Sequence, residues 1–399
     1  MRLYHVSPDG DDANPGTIDS PWRTLSRVMA TNFLPGDTVS FRRGGTWSGG
    51  LVIDDSGASG NPITFTAYGT GPRPVFTNPG GAGSRCPIEV RADWVIVEGF
   101  LVQGAYSGGV YVSAGSDHNV IRDIEATDVG VGIEIGGQHN LATGNYLHDL
   151  HMVVNTQGGN DDYGAIGILL NGSDNEVSYN RMVNCRASSY DWGVDGGAIE
   201  LFGSADRNYC HHNWATTSEG FMEVGGGSAE DVVVAYNVSV NNGSFLYVHL
   251  SGSFASSVAN FRVEHNTIVE TATGNQGYEV IGFSAEPTSA TVLVRNNVIW
   301  VERGSGQWGG LQRVSYSSGF THENNIYQLI GGVRLDYDLG PGELLADPLF
   351  VDLAGGDFHL QSGSPAIDCG ADLGYTRDFD DRPVPLGAAP DLGAFEHEP

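Results

Sequence analysis

Across 399 residues the chain carries 58 Gly, 48 acidic residues against 19 basic ones, and a formal charge of −29. All 19 basic residues are Arg, so lysine chemistry is excluded, and so negative a chain disfavours nucleic acid and anionic membranes as partners. No run of about 20 apolar residues is present to span a bilayer, and a Gly-, Asn-, Val- and Ser-rich, Met-poor composition points to an all-β chain.

The opening Met1-Arg2-Leu3-Tyr4-His5-Val6-Ser7 lacks the charged-then-apolar pattern of a signal peptide, which leaves a cytoplasmic protein or a secreted one whose signal has been removed. Ser20-Pro21-Trp22-Arg23-Thr24-Leu25 reads as an N-cap followed by Pro at the first helical position. It predicts a short helix to about residue 31 that covers the open edge of the first strands. Strands begin at Asp37 to Phe41. Cys86, Cys185, Cys210 and Cys369 lie far apart without metal-type spacing and read as buried free thiols.

From residue 144 onward one phrase recurs: a short apolar segment, an Asn, a second apolar segment, then a Gly-rich turn. The Asn residues are Asn145, Asn180, Asn213, Asn237, Asn266, Asn297 and Asn325, with gaps of 35, 33, 24, 29, 31 and 28 residues. A fixed coil carrying loops of different length produces this spacing. Stacked Asn amides can bond one another along such coils, and Asn tolerates the left-handed backbone of a tight turn. The expected architecture is a single-stranded right-handed parallel β-helix with a short N-terminal capping helix. It forms one domain over 1–399, with a strand and cap helix at 1–35, coils at 36–335 and a closing segment at 336–399.

A second column accompanies the Asn. Gly109-Val110-Tyr111-Val112, Gly132-Ile133-Glu134-Ile135, Gly167-Ile168-Leu169-Leu170, Ala198-Ile199-Glu200-Leu201, Phe221-Met222-Glu223-Val224 and Phe245-Leu246-Tyr247-Val248 each set one outward residue between inward apolar ones. Tyr111, Glu134, Leu169, Glu200, Glu223 and Tyr247 therefore line one face. Taken with Tyr4-His5-Val6-Ser7-Pro8-Asp9-Gly10, Gly36-Asp37-Thr38-Val39, Gly60-Asn61-Pro62-Ile63-Thr64-Phe65 and Asp357-Phe358-His359-Leu360-Gln361-Ser362-Gly363-Ser364-Pro365-Ala366-Ile367-Asp368, the chain resembles the pectin-lyase-like superfamily of bacterial right-handed β-helices over nearly its whole length. That resemblance implies the fold. The superfamily holds lyases, hydrolases, epimerases and silent adhesins, so the chemistry must come from the site.

The chemistry-bearing stretch is 185–225. Glu200 and Glu223, 23 residues apart, take the same strand position on neighbouring coils, where two exposed carboxylates repel and one is driven to keep a proton. A carboxyl pair about 5 Å apart suits retaining glycoside hydrolysis. The pair is similar to the acidic pairs of β-helical glycosidases, with Glu200 as nucleophile and Glu223 as acid/base. Asp195, in Val194-Asp195-Gly196-Gly197, is a third catalytic candidate or a plain turn Asp.

Insertions at 151–163 and 186–194 would wall the site, so Tyr163, Tyr190, Asp191 and Trp192 are candidate substrate contacts, joined by Tyr247, His249 and Glu134 on the outward face. His212 and His265 align with Tyr179 and Tyr236 as spacers, and Arg313 reads as a surface residue. No cofactor is required. Ca²⁺ bound by Glu200, Glu223, Asp195, Asp161 and Asp162 is an alternative. The expected activity is a carbohydrate-active enzyme on an oligo- or polysaccharide, a retaining glycosidase first, then a Ca²⁺-assisted lyase of a uronic-acid polymer, then a non-enzymatic glycan-binding β-helix. Oligomeric state is left open.

Overall fold

The computed structural model describes residues 1–81, 83, 86–274, 276–306 and 309–398. It forms two compact units, Met1–Glu200 and Leu201–Pro399. In the first, Leu3–Val6 pairs in parallel with Thr38–Arg42, and the column continues through Ile63–Tyr68, Val95–Glu98, Val120–Arg122, Leu141–Thr143 and Glu176–Ser178. A second parallel column runs from Leu101–Val112 to Glu125–Ile135 and on to Tyr146–His148 and Ile166–Leu170. Three-residue strands with one inward side chain explain the local sequence: Ile121, Ala142 and Val177, each at the centre of its strand, are 0% exposed.

The second unit repeats the plan. Tyr209–His211, Val233–Ala235, Phe261–Glu264, Val292–Arg295 and Thr321–Glu323 form one parallel column. Trp214–Thr216, Val238–Val240, Thr267–Glu270, Val298–Glu302 and Ile326–Ile330 form another. A third joins Met222–Glu230, Leu246–Val248 and Ile281–Phe283. The stacked parallel strands are those of a right-handed parallel β-helix.

The Asn ladder is present in both units. In the second, Nδ2 of Asn213, Asn237, Asn266 and Asn297 donates to Oδ1 of the next Asn at 3.0, 2.9, 3.0 and 3.0 Å, and Asn325 ends the series on Glu343 Oε1 at 2.7 Å. In the first, Asn145 donates to Asn180 at 2.8 Å, and a separate ladder joins Asn140 to Asn175 at 3.2 Å. The left-handed residue, however, is the one before each ladder Asn: Gly144, Tyr179, His212, Tyr236, His265, Asn296 and Asn324 all have φ between 51° and 63°. The amide must point into the stack, so the preceding residue takes the turn. Its side chain is thereby turned outward, and His212, Tyr236 and His265 stack at 5.6 and 4.7 Å.

The cap helix is shorter than expected and starts later. It spans Leu25–Met29, and its N-cap is Thr24, whose hydroxyl accepts the Arg27 amide at 3.1 Å. Trp22 overrides the Ser20-Pro21 signal: its side chain is 2% exposed and its backbone bridges to Val6, which holds Pro21-Trp22 extended. Leu25 and Val28 bury the inner face of the helix.

Within the second unit the closing segment is packed onto the turn residues. Tyr375 bonds Glu264, Asn296 donates to Ala371 O at 2.8 Å, and His212 reaches Asp378 O at 2.8 Å. Buried Asp378, Asp391 and Glu396 hold this irregular chain by accepting backbone N–H groups. All four cysteines are free, but Cys369 is exposed and Cys86 only partly buried, against the expectation for both.

Candidate active site

The first unit supplies the outward column Val52, Glu89, Tyr111, Glu134 and Leu169, each in register with the next. Asn171 donates to Glu134 Oε1 at 3.0 Å, while burial raises the Glu134 pKa and the Asn171 bond opposes it. The Tyr163 hydroxyl is likewise raised, by burial and by the Glu134 charge. Gly167 lies against the Ala198 carbonyl so closely that a Cβ there would sit 2.5 Å from it, and Glu200 follows Ala198 by two residues as Leu169 follows Gly167. Glu200 is only 7% exposed, so the expectation of two solvent-exposed carboxylates fails for this one.

Both insertions are antiparallel hairpins, Met152–Val154 with Tyr163–Gly164 and Ala187–Ser189 with Gly193–Asp195. Carboxylates brace one against the other. Asp162 accepts Thr156 N at 2.6 Å, Ser189 Oγ at 2.8 Å and Asp191 N at 3.0 Å, while Asp191 Oδ2 accepts the amides of Asp161 at 3.0 Å and Asp162 at 3.3 Å. Asn155 adds bonds to Ser188 O and Tyr190 N. Oxygens of Asp161, Asp162 and Asp191 lie within 4.8 Å of one another; those of Asp162 and Asp191 accept the backbone amides just named, and Asp161 Oδ1 accepts the Thr156 hydroxyl at 3.2 Å. Asp191 is thus engaged in the hairpin brace. Asp195 accepts the Gly196 amide at 2.8 Å. Tyr190 and Trp192 project from the second hairpin at 63% and 40% exposure.

In the second unit Glu223, Tyr247 and Gly282 are in register on successive coils. His249 Nε2 lies 2.8 Å from Glu223 Oε1, and the Glu223 side chain is one-third exposed. Phe254 and Tyr247 meet the imidazole edge-on at 5.6 and 4.9 Å, and Phe202 lies at 6.5 Å. Gly225 makes room for Phe202, since a Cβ there would be 2.8 Å from the ring. Burial, then Glu223, then Glu279 raise the Tyr247 hydroxyl pKa.

Phe202, Phe254 and Glu279 were not among the sequence candidates. Phe202 carries a signal, an outward aromatic two residues after Glu200. Phe254 sits in a Gly/Ser loop and has none.

A family model described as "Pel9A-like, right handed beta helix region" matches residues 4–245. Pectate lyase L of Dickeya chrysanthemi is 24% identical over an alignment of 436 positions covering 99% of this chain and 90% of that protein. Among solved structures, a GH136 lacto-N-biosidase from Eubacterium ramulus superposes with a TM-score of 0.61 at 15% identity, covering 87% of this chain and 67% of that one. Pectate lyase Pel9A superposes with a TM-score of 0.53 at 18% identity, covering 100% and 97%. The structural likenesses speak to the fold, and the family match spans more than half of the sequence. This chain belongs to the Pel9A-like right-handed β-helix family.

Proposed function

We propose that this protein is a carbohydrate-active enzyme, and specifically a retaining glycoside hydrolase that uses Glu223 as acid/base. The observation that carries the reading is the 2.8 Å contact between Glu223 Oε1 and His249 Nε2 on a face that also presents Tyr247. A carboxyl that must give a proton to a leaving oxygen and later take one from water needs a partner able to bond both of its forms. Imidazole does so, donating to the carboxylate or accepting from the acid. Glu200 enters as nucleophile on its 23-residue spacing from Glu223 in the sequence. The exposed rings of Tyr190 and Trp192 suit the C–H faces of sugars.

A second reading, a lyase acting on a uronic-acid polymer with Ca²⁺, is favoured by the pectate lyase L relative. In that reading His249 would be the base, since Lys is absent. Glu223→Gln and Glu200→Gln separate the two when assayed on a panel of aryl glycosides. Each is expected to lower hydrolysis by about a hundredfold or more. Full activity in both variants removes the hydrolase. A chelator-sensitive rise in the absorbance of unsaturated uronide from polygalacturonate installs the lyase in its place.

A further inference from the structure

Arg313, expected at the surface, is 7% exposed. Its guanidinium lies 5.1 Å from the ring centres of both Tyr278 and Tyr316, donates to the Tyr278 hydroxyl at 3.0 Å and pairs with Asp336. Asp336 also accepts from Arg334 at 2.7 Å. A cation held between two rings and fixed by a carboxylate has little freedom left to meet a ligand. What it presents outward is the rings, with Tyr316 69% and Tyr278 38% exposed.

These rings continue the face that begins at Glu223. Tyr247 follows Glu223 on the next coil, and its ring lies directly over Gly282, where a Cβ would sit 2.6 Å from the ring and 3.5 Å from Glu279 Cγ. Glu279 in turn accepts the Tyr316 amide and bridges in parallel to Arg313 on the following coil. Glu223, Tyr247, Glu279 and Tyr316 thus form an unbroken series within one unit. Three coil steps at about 4.8 Å separate its ends, roughly 14 Å, more than a single pyranose ring spans. Two arginines and two carboxylates leave the platform itself close to neutral.

We propose that Tyr316 and Tyr278, clamped by Arg313, form a distal sugar-stacking subsite, so that the ligand is an oligosaccharide extending along the coils from Glu223. The choice of a sugar rests on the function proposed above. A pyranose ring lays its C–H face on the exposed aromatic surface and needs no charge from the protein there, so the platform accepts neutral and uronic units alike.

The test is calorimetric binding of xylo-, galacto- and galacturono-oligosaccharides of increasing length to the full chain carrying Glu223→Gln, with and without Tyr316→Ala. Affinity is expected to rise with length until the platform is reached. Tyr316→Ala should lower affinity for the long members about tenfold and leave the shortest unchanged, while Tyr316→Phe, which keeps the ring, should retain the gain. Equal loss at every length, or no loss with any of the three series, overturns the subsite. Unfolding temperatures of the Tyr316 variants identify a misfolded protein, and in that case Tyr278→Ala replaces Tyr316→Ala. If Glu223→Gln and Glu200→Gln both retain full activity while the length dependence vanishes with Tyr316→Ala, the hydrolase assignment fails and the subsite stands.

Discussion

At Glu270 the second unit encloses a carboxyl group completely. Its exposure is 0%, Oε2 has no hydrogen-bond partner among the described residues, and Oε1 accepts the Asn242 amide at 2.8 Å. Asn242 Oδ1 in turn accepts the Ser218 amide at 2.9 Å, so Glu270 stands where a further ladder Asn would. Burial raises its pKa from 4.5 to about 8, with amide bonds from Asn242 and Gly243 opposing and Glu219 adding to the rise. The folded state therefore holds a proton that the unfolded chain releases, and stability falls as pH climbs from about 4.5 to about 8. Glu270→Gln keeps the acceptor and cannot ionise. Its unfolding temperature should match the wild type near pH 4.5 and exceed it increasingly towards pH 8. A constant difference across that range would mean that Glu270 does not titrate between those values.

Strand pairs and turns carry the next level of specification. Asn266 accepts from Asn237 and donates to Val234 O at 2.9 Å and to Asn297 Oδ1 at 3.0 Å, all fully buried. Asn266→Ala strands a buried donor on one side and a buried carbonyl on the other, a cost of about 3 kcal/mol. Equilibrium denaturation should show that loss, and a change under ~0.5 kcal/mol would mean that water replaces the amide.

The ladder was legible in the sequence because seven Asn share flanking patterns, and the outward column was legible from alternation alone. What stayed hidden depends on chain segments meeting from far apart. Thr24 caps the helix because Trp22 is drawn into the first coil, and Asp162 and Asp191 became braces because two hairpins meet. His249 could be placed on the outward face by parity with Tyr247, but its bond to Glu223 required the register. Phe254 and the Tyr316–Glu279 contact had no local signature at all.

For the molecule as a whole, charge is the dominant liability. A net −29 carried on 399 residues repels itself in the compact state. The Debye length shrinks from about 30 Å at 0.01 M salt to about 8 Å at 0.15 M. The unfolding temperature should therefore rise with sodium chloride over that interval in a thermal scan at pH 7. A flat or falling response would show that local pairs such as Arg313–Asp336 and Arg295–Glu264 already offset the repulsion.

The left-handed residue ahead of each ladder Asn also acts as an index mark. Within the second unit each coil regains its register when it reaches that turn, so the coil of 24 residues from Asn213 to Asn237 and the one of 31 from Asn266 to Asn297 return to the stack in phase. Length errors do not propagate. A hairpin can be lengthened, shortened or exchanged between two marks without re-registering its neighbours, which makes the loops over the outward face the natural place to graft new specificity.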